Sequence, residues 1–345
     1  MIRLSVKTQS LWMAALACLQ FGSISNAGPI QWVTVGDPGN TADTTGQPNP
    51  AGAVADSFRI MKYEFTNQQY TDFLNSVDAS GTNPNSVYNT DMGSNARGGI
   101  SFTSGNDSGS KYAVKTNMGD KPVNYVSWFD AARVSNWLMN GATSLSSTET
   151  GAYTLNGATT GNAPAVNPGA TFYIPTEDQW YKAAYYKGGS TNAGYWDYAT
   201  QSDSIPTEVT AGSTGIGSSG STGNFANYNL AADWNSQNGN VTTVGTNGGA
   251  SAYDVFDMSG NIYEWNDLTG AAGSSRGVRG GSWWDNNASD LSSSSSYTIS
   301  PSDEDDIYGF RLASPVAVPE PSTWVMGLAG IAYGGWQMWR RRKRA

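Results

Sequence analysis

The stretch Gly260–Arg311 most constrains what this chain can fold into. It opens GNIYEWND (Gly260–Asp267), continues RGVRGGSWWDNNAS (Arg276–Ser289) and closes IYGFRLA (Ile307–Ala313). Aromatic, glycine and charged residues alternate too densely here for a linker. GNIYEW predicts a backbone turn feeding a strand, with Tyr263 and Trp265 on one face and Ile262 and Glu264 on the other. Arg279-Gly280-Gly281-Ser282-Trp283 lets a strand bend sharply, because glycine tolerates close backbone approach. The stretch reads as the core sheet of an irregular, loop-rich domain.

The rest of the body supplies helices that such a sheet can bury. Thr66 with Gln69, Ser127 with Asp130 and Thr176 with Gln179 each have the spacing of a capping box, in which two side chains satisfy orphan backbone donors. After Thr66, Tyr70, Phe73, Leu74 and Val77 share one face. After Ser127, Ala131, Val134 and Leu138 form a buried stripe. After Thr176, Trp180, Ala183 and Ala184 face inward, and Gly188 is placed to end that helix. Strands are expected at Gln31–Val35, Phe58–Phe65, Phe225–Leu230 and Val241–Val244. Polar insertions separate these pieces: Ser80–Asp120, read as loop with a short hairpin, Gly141–Pro168, and the Gly/Ser/Thr-rich Ser202–Gly223.

Composition excludes several chemistries. The 345 residues include no histidine, and the single cysteine, Cys18, lies in the leader. Disulfides, Cys/His zinc sites, thiol catalysis and histidine general-base catalysis are therefore excluded for the body. Of 19 basic residues, Arg3 and Lys7 lie in the leader and Arg340–Arg344 at the other end. What remains is about 12 basic against about 27 acidic residues, a body charge near −15. Such a body is a poor nucleic-acid binder and is compatible with a cation-binding exported protein.

The two ends read as targeting segments. Met1–Ser10 is basic, Leu11–Phe21 is mostly apolar, and Ser25-Asn26-Ala27 offers a small-x-small cleavage site. Residues 1–27 are thus expected to be a signal peptide removed by signal peptidase, with the body at 28–316. A lipoprotein reading at Cys18 is weaker, because the apolar run before it would be very short. Residues 317–345 hold Pro319-Glu320-Pro321, the apolar run Trp324–Trp339 and the basic cluster Arg340–Arg344. Sixteen apolar residues fall somewhat short of the ~20 that span a bilayer comfortably, and the basic cluster would hold its end in the cytoplasm. A plain C-terminal transmembrane anchor is one reading. The ordered triplet, short helix and Arg-rich end resemble the PEP-CTERM sorting signal. That resemblance implies a membrane protease, an exosortase, cutting near the triplet and leaving the body at the cell surface or in the extracellular matrix.

Several ordered motifs carry a second resemblance. GNIYEW, RGVRGGSW and GFR, with KYEFTN, PVNYVSWFDA and YIPTEDQWYKAA before them, are similar to the signature of the formylglycine-generating enzyme, or sulfatase-modifying factor, family. It covers roughly Trp32–Ala313, broken by insertions; the family usually has Arg where Tyr173 stands. The resemblance implies an α+β domain with the irregular, loop-rich C-type lectin topology and few helices.

Three candidate chemistries follow. Asp257 to Glu264 place a carboxylate, two turn carbonyls and a second carboxylate within eight residues, and hard cations want six to eight oxygens of this mixture. The resemblance assigns a calcium ion to Asp257, Gly260, Ile262 and Glu264, and a second to a site beginning at Asn227 and Tyr228. The opposing reading has Glu264 bonding loop amides and Asp257 solvated. For redox chemistry, the family's two copper-binding cysteines fall at about Asp285 and Asp290. Carboxylates do not replace thiolates for Cu(I), so no copper is expected; the iron-dependent sulfoxide-synthase relatives need histidines that this chain does not have.

The third candidate is a ligand face between GGS and GFR, at Trp284, Asp285, Asn286, Asn287, Asp290 and Tyr308. Rings and carboxamides together suit sugar or peptide recognition. The opposing reading puts Trp283 and Trp284 in the core and makes Asp303–Asp306 a solvated loop. The family usually carries an Arg near Ser296, and its loss weakens an anionic ligand. The expectation is a non-catalytic surface or matrix protein that binds a ligand or plays a structural part. The alternative is an oxidoreductase or other enzyme with altered chemistry built on Asp285, Asp290 and Glu264.

Overall fold

The computed structural model describes residues 29–316. In chain order the elements are β1 (Trp32–Val35), β2 (Phe58–Met61), α1 (Asn67–Val77), α2 (Asp91–Ser94), β3 (Ile100–Phe102), β4 (Tyr112–Val114), α3 (Trp128–Met139), α4 (Glu177–Tyr185), β5 (Thr207–Glu208), β6 (Phe225–Ala226), β7 (Tyr263–Asn266), β8 (Arg276–Arg279), β9 (Tyr297–Ile299), β10 (Tyr308–Gly309) and β11 (Ala313–Pro315), with a single 3-10 turn at Ala288–Leu291. Short strands joined by long loops around few helices make an α+β, loop-rich domain.

Two sheets organise it. β1, β2 and β11 form an antiparallel sheet that brings the two ends of the body together. The second sheet runs β10-β7-β8-β9, with β10 parallel to β7 and the other pairs antiparallel. It comes from the constraining stretch, and period-two alternation assigns its faces. On one face Trp265 Nε1 donates to the Val126 carbonyl, just before α3, at 2.9 Å, and Tyr263 packs against Tyr297 and Tyr308. Glu264 points toward α4, where Trp180 Nε1 donates to it at 2.8 Å.

The helices begin where the sequence places them. All three capping boxes form, at Thr66/Gln69, Ser127/Asp130 and Thr176/Gln179. Helix α3 is buried from Trp128 to Trp137, so the expected stripe of Ala131, Val134 and Leu138 is only part of its contact surface. Buried guanidinium groups tie helices and loops to the sheet. Arg276 meets Asp267 at 2.7 Å, and Arg279 pairs with Glu177 at the start of α4.

Four expectations need correction. The strand expected over Phe58–Phe65 stops at Met61. Val241–Val244 is not a strand: its amides bond Asn240 Oδ1, Asn261 Oδ1, the Gly215 carbonyl and the Asp120 carbonyl, so no ladder partner remains. Phe225–Leu230 is a strand only over Phe225–Ala226, with one further bridge from Asn227 to Gly260. Gly188 does not end α4; the helix stops when Tyr186 turns extended, and Gly188 follows two residues later with φ +71°. The Ser80–Asp120 insertion does carry a hairpin, β3–β4. It is sewn to α1 by Asn75, which exchanges hydrogen bonds with the Tyr112 backbone at 2.8 and 3.0 Å.

Candidate functional site: a polar core loop and the aromatic face beside it

The GNIYEW turn is a buried polar network. Gly260 has φ +82°, and a Cβ there would collide with the Asn227 carbonyl, so only glycine fits. That approach lets the Asn261 amide donate to the Asn227 carbonyl at 2.8 Å. The Asn261 side chain then bridges segments: its Nδ2 donates to Glu64 at 2.9 Å, and its Oδ1 accepts from the Thr242 amide at 2.9 Å. Gly309 of the GFR motif is fixed the same way, since a side chain would meet Ile262 and the Val123 carbonyl.

Glu264 is fully occupied. Arg311 Nε donates to Oε2 at 2.6 Å and Nη2 to Oε1 at 2.5 Å, with Trp180 Nε1 also on Oε2. Arg311 continues to the carbonyls of Met61 at 3.1 Å and Phe256 at 2.8 Å. Asp257 accepts from the Gly245 amide and from Asn247 Nδ2. Glu64, fully buried beside them, is pushed well above the carboxylate range by burial and then by Asp257. Burial also raises Asp257, and Glu64 Oε2 lies 3.9 Å from Arg311, so three buried carboxyl groups gather around one guanidinium.

These residues do not fit the calcium ion that the resemblance implies for Asp257, Gly260, Ile262 and Glu264. Both Glu264 oxygens face a guanidinium, and Asp257 turns to an amide and a carboxamide. Among the described residues no group of three Asp, Glu, His or Cys side chains is arranged for a metal. The second pair differs. Asn227 is buried, its Nδ2 donates to Asn240 O, Thr242 Oγ1 and Asn261 Oδ1, and its Oδ1 has no partner. One oxygen is thus open there, but the side chains that Asn227 bonds are neutral. Tyr228 is anchored by its hydroxyl to the Pro206 carbonyl at 2.8 Å.

The other sheet face carries rings and carboxylates. Neighbouring strands set Tyr308 beside Tyr263 and bring Tyr297 opposite Val278. Tyr263 lies edge-on to Tyr297 at 5.8 Å and tilted to Tyr308 at 6.1 Å, and Tyr308 continues to Trp265 at 5.8 Å. Asp285 accepts from the Ser282 amide at 2.7 Å and its hydroxyl at 2.8 Å, and bonds Tyr263. Asp290 accepts from the Tyr297 hydroxyl at 2.7 Å. Burial, then Asp290, raises Asp285, while Ser282 opposes. Burial and both aspartates hold the Tyr263 phenol far above its ordinary value, so it remains a donor.

The predicted ligand residues divide. Trp283 is core, and Trp284 is 59% exposed. Asn286 is exposed; Asn287 caps the 3-10 turn through the Ser289 amide. Asp285, Asp290 and Tyr308 converge on Tyr263. Tyr263 itself was readable only as a core strand position, because its role depends on Tyr297 and Asp285 arriving from later segments. Glu304 and Asp306 are not simply solvated: burial raises them to about 8 and about 6.

Pro319, Glu320 and Pro321, and residues 1–27 where a signal peptide is expected, lie outside the described residues. Within those residues no helix is long and apolar enough to cross a membrane.

No curated protein matches the chain. Among solved structures it is similar to CarF, at 21% identity and TM-score 0.50, covering 84% of this chain and 99% of that one. It is also similar to Treponema denticola variable protein 1, at 18% identity and TM-score 0.48, covering 83% and 95%. A third is PvdO from Pseudomonas aeruginosa, at 18% identity and TM-score 0.41, covering 84% and 92%. At such identities the likeness to CarF speaks to the fold alone, which is C-type lectin-like. The model of the sulfatase-modifying factor enzyme 1-like domain matches residues 26–316, which takes in the whole described body. The chain belongs to that family.

Proposed function

We propose that this domain is an exported, non-catalytic ligand-binding module, delivered by its leader and sorted by its C-terminal segment to the cell surface or matrix. One observation carries the reading. At Tyr263 the face brings together Tyr297, Tyr308, Asp285 and Asp290, while the body contains no thiol and no imidazole. Two aspartates stand where the family's copper-binding thiolates are expected. Hard oxygen donors do not hold Cu(I), so the oxidation of a substrate cysteine has no metal to run on. Rings with hydrogen-bonding edges beside carboxylates are recognition chemistry instead.

The elevated Asp285, beside Asp290, is the observation that favours an enzyme of altered chemistry. Both carboxylates are already engaged, Asp285 by Ser282 and Asp290 by Tyr297. Glycan and peptide arrays probed with the purified body test the binding reading. Ligands whose capture depends on Tyr297 support it; turnover of a captured ligand favours the alternative.

A further inference from the structure

Trp284 lines an open cavity of about 360 Å³ together with Arg97 from the Ser80–Asp120 insertion and the loop before β10. The Arg97 guanidinium lies 4.2 Å from the centre of the Trp283 ring. Its Nε donates to the Gly239 carbonyl and its Nη2 to the Asn238 carbonyl, both at 3.0 Å. Its Nη1 reaches Asp306 only at 3.7 Å. Arg97 is therefore committed to holding the wall. Asp306, which shares this long ion pair, has a second carboxylate beside it, Asp305; burial and then Asp305 push Asp306 up to about 6, with Arg97 opposing. Trp284 presents an open indole, and Ile307 and Leu230 supply apolar surface.

We propose that this cavity binds an alkylammonium group: a compact cation on an apolar stem. The cation would sit against Asp305 and Asp306, whose mutual repulsion it relieves. The stem would lie on the Trp284 ring, which also attracts positive charge through its π face. Two carboxylates against the single Arg97 guanidinium leave the lining net negative, which disfavours an anion, and a neutral group leaves the carboxylate repulsion in place. The acidic body concentrates cations at its surface. A lysine side chain of a peptide carries the cation on an apolar stem and an amino sugar carries it beside the C–H face of its ring, and both fit the volume. The inference rests on the binding reading and deepens it, since Trp284 belongs to the ligand stretch between GGS and GFR.

The test is a ligand titration followed by NMR at pH 7.5, using Nα-acetyl-lysine methylamide and glucosamine. Their neutral counterparts, Nα-acetyl-norleucine methylamide and N-acetylglucosamine, serve as controls. At least one amine should bind at about millimolar affinity, with its neutral counterpart roughly tenfold weaker or worse; which amine binds tells a peptide source from a sugar. Trp284→Ala and Asp305→Asn, both surface changes, should each weaken the amine several-fold or more, and Tyr297→Ala should leave it unchanged. Neutral ligands binding as well as amines, no amine binding up to ~10 mM, or amine binding indifferent to both Trp284→Ala and Asp305→Asn overturns the proposal. Loss of array binding in Tyr297→Ala with amine binding intact separates this cavity from the Tyr263 face.

Discussion

Arg311 grips Glu264 with two hydrogen bonds, Nε to Oε2 at 2.6 Å and Nη2 to Oε1 at 2.5 Å, and both side chains are buried. The pair joins the GFR segment to the GNIYEW strand and, through Trp180, to α4. Removing one partner strands a buried charge.

Glu264→Gln or Arg311→Met should therefore cost about 3–5 kcal/mol, measured by urea unfolding. Because Glu264 faces a guanidinium, the loss should be equal in calcium and in chelator. A calcium stabilisation present in the wild type and absent in Glu264→Gln would return Glu264 to cation binding.

Much of this was legible in the sequence, and the limits have physical causes. Capping boxes span three residues, so Thr66/Gln69, Ser127/Asp130 and Thr176/Gln179 could be read directly. Strand alternation separated Tyr263 and Trp265 from Glu264. The partner of Glu264 is 47 residues away, and that of Arg279 is 102 residues away. No local pattern announces such pairs, so Glu264 was open to a calcium reading until Arg311 was placed beside it. Arg97 lies in an insertion that matches no family motif, and its partners at Asn238 and Gly239 come from another loop. Val241–Val244 has strand composition, but the Asn261 side chain and distant carbonyls claim its amides.

No formylglycine should form when the protein is incubated with a sulfatase-type cysteine peptide, with or without copper. The positions expected to bind copper are Asp285 and Asp290, and the only thiol is Cys18. Mass spectrometry reads the aldehyde directly, and its appearance above a no-protein control contradicts the non-catalytic reading.

Stability should fall as pH rises from about 4 to about 8. Glu304 is raised to about 8 by burial and then Asp130, while its Asn89 bond opposes; Asp130 is raised to about 6 by burial, with Ser127 and Arg133 opposing. A carboxyl held above its unfolded value stabilises the fold while protonated. That contribution is complete below the unfolded value and is lost as pH climbs through the folded one. Thermal melts across this range should show the decline, and Glu304→Gln, which mimics the protonated form, should flatten it. An unchanged slope in the variant removes Glu304 from the explanation.

Cells expressing the full chain should yield a mature species starting near Gly28 and missing Trp324–Ala345. Replacing Pro319, Glu320 and Pro321 with alanine should leave a larger, membrane-held form. Mass and fractionation unchanged by that replacement would remove the sorting proposal.

The most direct test of ligand binding at the Tyr263 face compares the wild-type body with Tyr297→Ala on the same glycan and peptide arrays. Tyr297 is 44% exposed, so its loss should leave the fold intact while removing a ring and the donor to Asp290. Losing a stacking ring of this size costs about 1.5–3 kcal/mol, roughly a 10- to 100-fold fall in affinity. The expected result is a defined set of ligands captured by the wild type and lost in the variant. Capture of the same ligands at the same strength by both proteins would contradict binding at this face.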